Sequence, residues 1–177
     1  MICIDNKESC GGSSGILRSL IEELQRAVRL IGRTDDVAYR RVANGTANVG
    51  AQLRHNLDFV GSFLRGIECG LIDYSDRERD ARVEVDRQYA ATRFEVVISR
   101  LEQLDETILR RAIRTRSEVD PVSVFPSSIG REVEFVHSHT VHHHALIREK
   151  LAGFGIAVDE YLGVAPSTIN YWADQAA

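Results

Sequence analysis

Residues 129–152 read IGREVEFVHSHTVHHHALIREKLA. Ser127 and Ser128 precede this run, and either hydroxyl suits a helix N-cap, while Gly153 suits a stop. Phe135, Val136, Leu146 and Ile147 recur at helical spacing between those signals, so the segment predicts one long amphipathic helix. Five of the chain's six histidines lie within it, from His137 to His144. A purification tag fits badly, because the run is internal, only His142–His144 are consecutive, and Val141, Ala145, Leu146 and Ile147 are woven through it.

The same periodicity predicts three partners for this helix. Ile16, Leu17, Leu20, Ile21, Leu24, Val28 and Ile31 mark a helix over 16–31, with Gly32 as its stop. Leu53, Leu57, Val60, Leu64 and Ile67 share a stripe over 49–67, followed by Gly70. Tyr89, Phe94, Val97, Ile98 and Leu101 predict a third helix over 86–104. The polar stretch DYSDRERDARVEVD (73–86) reads as a connection over the surface. Between Ile108 and Pro126 the period fades and β-branched residues enter, as expected of an irregular crossover with room for short strands. GVAPSTINYW (163–172) restarts at Pro166 as a final helical turn. Residues 1–15 read as a loose N-terminal tail. The fold class expected is therefore all-α: a four-helix bundle over 16–177 with long crossover connections.

Composition narrows the function. A chain of 177 residues is long enough for one domain with its own core. The net charge of −4 argues against a nucleic-acid partner. No run approaches the ~18 apolar residues of a membrane span, and no signal peptide opens the chain, so the expected location is the cytoplasm. Cys3, Cys10 and Cys69 are odd in number and lack ligand spacing. Asn44-Gly45-Thr46 has the form of a glycosylation acceptor, which carries no meaning without secretion. Only Lys7 and Lys150 among the 22 basic residues are lysines. That arginine bias is read as surface pairing with carboxylates.

At roughly 100° per residue, His139 and His143 are neighbours on the apolar face of the last long helix. His137 and His144 fall on the opposite side, and His142 lies between. Two neutral imidazoles one turn apart can reach the same ion, at metal–nitrogen distances of about 2.0–2.1 Å. The bland reading is a pair of hydrogen-bonded core histidines. A metal also needs a third ligand, for which His55 is the candidate. His55 lies off the Leu53–Leu57–Val60–Leu64 stripe, on a face with Ala51, Phe59, Ser62 and Gly66. That face suits either a pocket or a position near the surface. Glu132, two turns before His139, reads first as a solvated carboxylate at the helix start. The sharper alternatives are an acid–base role or support of a ligand.

Three blocks in this order, NVGAQLRHNLDFVGSFLRGIECGLIDYSDRERD, GREVEFVHSHTVHHHALI and GVAPSTINYW, resemble the DinB-like superfamily of bacterial metal-binding four-helix bundles. The likeness spans about Ile16 to Trp172. HSHTVHH matches the superfamily's HxxxH helix, and LRHNLDF its second-helix segment with a third histidine. The resemblance implies that His55, His139 and His143 hold a divalent ion, nickel or zinc. It also implies chemistry of the kind found in thiol-dependent S-transferases, with a low-molecular-weight thiol as co-substrate, or in metal-dependent hydrolases. A small-molecule substrate follows from either. A non-catalytic bundle that binds a metal or ligand is the reading from a different class. A homodimer is a further expectation, since the second helix is apolar on more than one side.

Overall fold

The computed structural model describes residues 15–42 and 45–176. Residues 1–14 of the expected 1–15 tail, with Cys3 and Cys10, lie outside the described residues, as does Asn44, while Gly15 already opens the first helix.

The four long helices fall where the periodicity places them: α1 over Gly15–Arg33, α3 over Val49–Cys69, α5 over Arg87–Glu102 and α6 over Ile129–Gly153. Their ends follow side-chain chemistry. The Asn48 side chain accepts from Ala51 N at 2.7 Å to start α3. Gly70, in the left-handed region at φ +83°, donates back to Gly66 O to close it. Asp86 caps α5 through Tyr89 N, and of the two candidate serines it is Ser128 that caps α6 through Arg131 N. Among the described residues there are also short helices α2 (Asp36–Arg40) and α4 (Arg82–Val85), a 3-10 turn over Glu106–Arg110 and the helix α7 (Pro166–Ala176).

α1 packs against α5 and α6, and α3 packs against the same two. Of the consecutive long helices α3 and α5 neighbour each other, whereas α1 and α3, and α5 and α6, lie across the bundle, and the chain crosses between them through long connections. Leu20, Leu24, Leu53, Val60, Phe63, Leu64, Phe94, Leu101, Val136 and Ile147 are buried in the shared core.

Two expectations need correction. The chain is mostly helical but not all-α, because a small three-stranded sheet is present. Strand β1 (Leu71–Ile72) pairs in parallel with β2 (Ala112–Arg116), and β2 pairs antiparallel with β3 (Val124–Ser128). β2 and β3 arise in the crossover whose β-branched content allows them. Pro126 is tolerated because β3 is an edge strand. The stretch 73–86 is also not merely superficial. Tyr74 and Val83 within it are buried, and the Tyr39 hydroxyl donates to Val83 O at 2.7 Å.

The C-terminal segment returns across the back of α6. Gly163 sits there at φ +72°, and a Cβ on it would collide with the α6 backbone at His144 and Ala145. Only glycine satisfies both demands.

No helix among the described residues is long and apolar enough to cross a membrane. The arginine bias has a visible use, since Arg40, Arg54, Arg82, Arg87, Arg93 and Arg100 each pair with a carboxylate.

Candidate metal centre

α3 and α6 pack side by side, and their facing surfaces bring His55, His139 and His143 together. One ring nitrogen from each lies within 4.8 Å of the other two. The ring centres are 4.4 Å apart for His139–His143, 4.6 Å for His55–His143 and 5.1 Å for His55–His139. The group sits at the margin of the core. Val136 and Ile147 on the same side of α6 are buried, whereas Leu146, expected inward, is 37% exposed. His55 and His139 are half-buried and His143 is buried. His55 thus meets both of its open readings: it faces a site and lies near the surface.

Neighbours hold each ring in place. Phe59 stacks on His139 with ring centres 3.7 Å apart and touches His55 at 5.0 Å. The second apolar face of α3 is thereby occupied by the site. His143 Nδ1 donates to Gln52 Oε1 at 2.6 Å, which leaves Nε2 with its lone pair. His139 Nε2 is buried with no hydrogen-bond partner. An orphaned buried imidazole nitrogen is costly unless something binds it. A divalent ion would supply that partner, so the donor set fits the group the resemblance implies.

Electrostatics keeps these imidazoles in the ligating form. Burial, then the neighbouring His55, pushes His139 down to about 4. Burial, then His139, pushes His143 down to about 3. Burial and the Arg77 guanidinium also hold His55 below its ordinary value. Between pH 6.5 and about pH 4 the unfolded chain therefore binds protons that the native chain refuses. Metal-stripped protein is expected to lose stability as pH falls through that window. Each of His139 and His143 contributes at most about 1.4 kcal/mol per pH unit, less for the partly solvated His139. Urea melts of stripped protein at pH 7.5, 6 and 5 check this, and a flat profile would contradict it.

The remaining histidines are disposed as the helix wheel separates them. His137 and His144 are buried on the side of α6 that faces α1, where His144 Nδ1 meets Glu23 Oε1 at 2.6 Å. His142 is exposed, with its ring 5.3 Å from that of His143.

Glu132 needs correction. It is not solvated: it is 6% exposed and accepts from the Tyr74 hydroxyl at 2.8 Å and the Ser127 hydroxyl at 2.6 Å. It does not belong to the three-histidine group.

Gln52 escaped the sequence reading. Its one signal is position, one turn before His55 on α3. Gln52→Ala frees the His143 ring to turn and is expected to weaken divalent-metal affinity by roughly tenfold or more. Competition with a chromogenic chelator measures this, and unchanged affinity would show that the contact orients nothing.

No known family's sequence profile matches the chain. A stretch of 105 residues is 28% identical to FK506-binding protein 5 of Rhizopus delemar, covering 57% of this chain and 27% of that protein. The chain thus spans about a quarter of the length of this curated relative, and the likeness does not establish a family. No solved structure matches the chain.

Proposed function

We propose that the chain is a metal-dependent enzyme of DinB-like four-helix-bundle type that transfers a low-molecular-weight thiol to or from a small molecule. His55, His139 and His143 would hold one divalent ion, nickel or zinc. The observation that carries this reading is the convergence of three ring nitrogens within 4.8 Å. The packing of α1 and α3 each against α5 and α6 supports the bundle architecture.

A divalent ion held there by three neutral nitrogens would favour the thiolate over the thiol at neutral pH. The chain's own residues supply the setting. Gln52 fixes the His143 tautomer, and Phe59 fixes the plane of His139. The Arg77 guanidinium lies 4.9 Å from the Phe59 ring centre and adds positive potential at the edge of the site. Phe59, Tyr74 and Phe135 form an aromatic wall along one side of the site.

Hydrolysis is disfavoured by one observation. No aspartate or glutamate joins the histidine group among the described residues, and Glu132 is held by two hydroxyls. No carboxylate therefore stands among the candidate ligands as a ready general base.

Metal analysis of protein purified without a tag tests the first half of the reading. The second half is tested by following thiol consumption with a panel of small electrophiles. The expected result is stoichiometric metal and a thiol consumption that disappears in His139→Ala. Metal-dependent ester cleavage without thiol consumption would replace transfer by hydrolysis. Metal without either activity would leave a non-catalytic binding bundle.

A further inference from the structure

Beside the three histidines lies a cleft of about 320 Å³ whose walls include Tyr74, Thr115, Val119, Arg131, Glu132 and Phe135. It adjoins the candidate metal centre through aromatic contacts. The Phe135 ring is 6.2 Å from that of His139, and Tyr74 stacks on Phe59, which stacks on His139.

Two of the four charged residues that line the cleft are already answered. Arg116 pairs with Asp73 at 2.9 Å, and Glu118 pairs with Arg77. Two are not. Glu132 is 6% exposed, yet its oxygens meet only the hydroxyls of Tyr74 and Ser127. A buried carboxylate with neutral partners alone has no countercharge. The Arg131 guanidinium forms no ion pair among the described residues and lies 5.9 Å from the Phe135 ring centre. Thr115 Oγ1 is buried without a hydrogen-bond partner.

Consecutive residues of opposite, unanswered charge thus line one cleft with an aromatic wall. An α-amino acid carries an ammonium and a carboxylate on a single carbon, which suits groups that close together. We propose that this cleft binds a small zwitterion of the α-amino-acid type with an apolar side chain. The ammonium meets Glu132, the carboxylate meets Arg131, and the side chain lies on Phe135 and Tyr74. Thr115 Oγ1 gains the partner it lacks. The ligand class stands on the cleft alone; the cleft's role as a substrate subsite rests on the metal-centre reading above.

L-phenylalanine serves as the probe, with 3-phenylpropionate and 2-phenylethylamine as analogues that each lack one charged head. Binding is read by ligand-observed NMR titration on the full chain, metal-stripped and metal-loaded. L-phenylalanine is expected to bind saturably and about tenfold more tightly than either analogue, the scale of one charge-assisted hydrogen bond. Arg131→Gln is expected to bring it to the level of 2-phenylethylamine. Glu132→Gln, which keeps the side chain's size, should bring it to the level of 3-phenylpropionate. Retention of L-phenylalanine binding in His139→Ala would separate the cleft from the ion. Equal affinity for all three probes, or no change in Arg131→Gln, would overturn the proposal. Absence of metal from wild-type protein would sink the metal reading alone and leave these titrations interpretable.

Discussion

His139→Ala and His143→Ala proteins are expected to purify without stoichiometric divalent metal, whereas His137→Ala and His142→Ala keep it. The three candidate ligands stand with ring centres 4.4–5.1 Å apart, drawn from two helices. Removing one nitrogen leaves two, and two imidazoles rarely hold an ion against water and chelating buffers. His55→Ala belongs with the loss group for the same reason. His137 faces α1, away from the cluster, and its removal takes nothing from the site. His142 is the stringent control, because it is adjacent in sequence to His143 and exposed. If the histidines acted as a loose basic cluster, His142→Ala would lose as much metal as His139→Ala. Metal content by mass spectrometry of untagged, folded protein decides between these outcomes. Circular dichroism on the same samples excludes unfolding as the cause.

The long helices were legible because each carries an apolar stripe over four or more turns, which a 3.6-residue period exposes. The sheet was only half legible. β-branched residues mark β2 and β3, but β1 is two residues long and has no period to detect. Its pairing depends on where α3 ends, which is a tertiary fact. The histidine pair was legible from its i, i+4 spacing. Their environment was not, because Gln52 and His143 are separated by 91 residues and meet only when α3 lies along α6. Tyr74 and Val83 hide in a polar stretch, where composition points outward and packing brings two side chains in. Glu132 shows the converse error. At a helix start a carboxylate is usually solvated, and here Tyr74 from that same misread stretch covers it.

Glu23 left a signal that was available and not used. It follows Leu20 by three residues and precedes Ala27 by four, so it occupies the buried stripe of α1. A carboxylate in such a position needs a partner. The structure supplies two: His144 Nδ1 at 2.6 Å and Arg26 Nε at 3.2 Å, with Arg26 also reaching Asp159 at 3.1 Å. This network joins α1, α6 and the C-terminal segment on the side of α6 opposite the metal centre.

Glu23→Ala is accordingly expected to destabilise the protein by about 3 kcal/mol, the scale for leaving a buried polar partner without its hydrogen bond. His144 is fully buried, and its Nε2 already lacks a hydrogen-bond partner. Without Glu23 its Nδ1 would lose its partner as well. Arg26 would keep only Asp159. Glu23→Gln retains the size and one acceptor oxygen, so its cost should be smaller, on the order of 1 kcal/mol. Urea unfolding measures both, and equal losses would mean that packing rather than the polar contact matters here. Metal content separates the two faces of the helix. Under native conditions Glu23→Ala should still carry its ion, because none of the three candidate ligands touches this network. His139→Ala should show the reverse pattern, with metal lost and the α1–α6 contact intact. If folded Glu23→Ala lost metal as completely as His139→Ala, the two faces of α6 would be coupled. The adjacent His143 and His144 would then act as one unit rather than as ligand and strut.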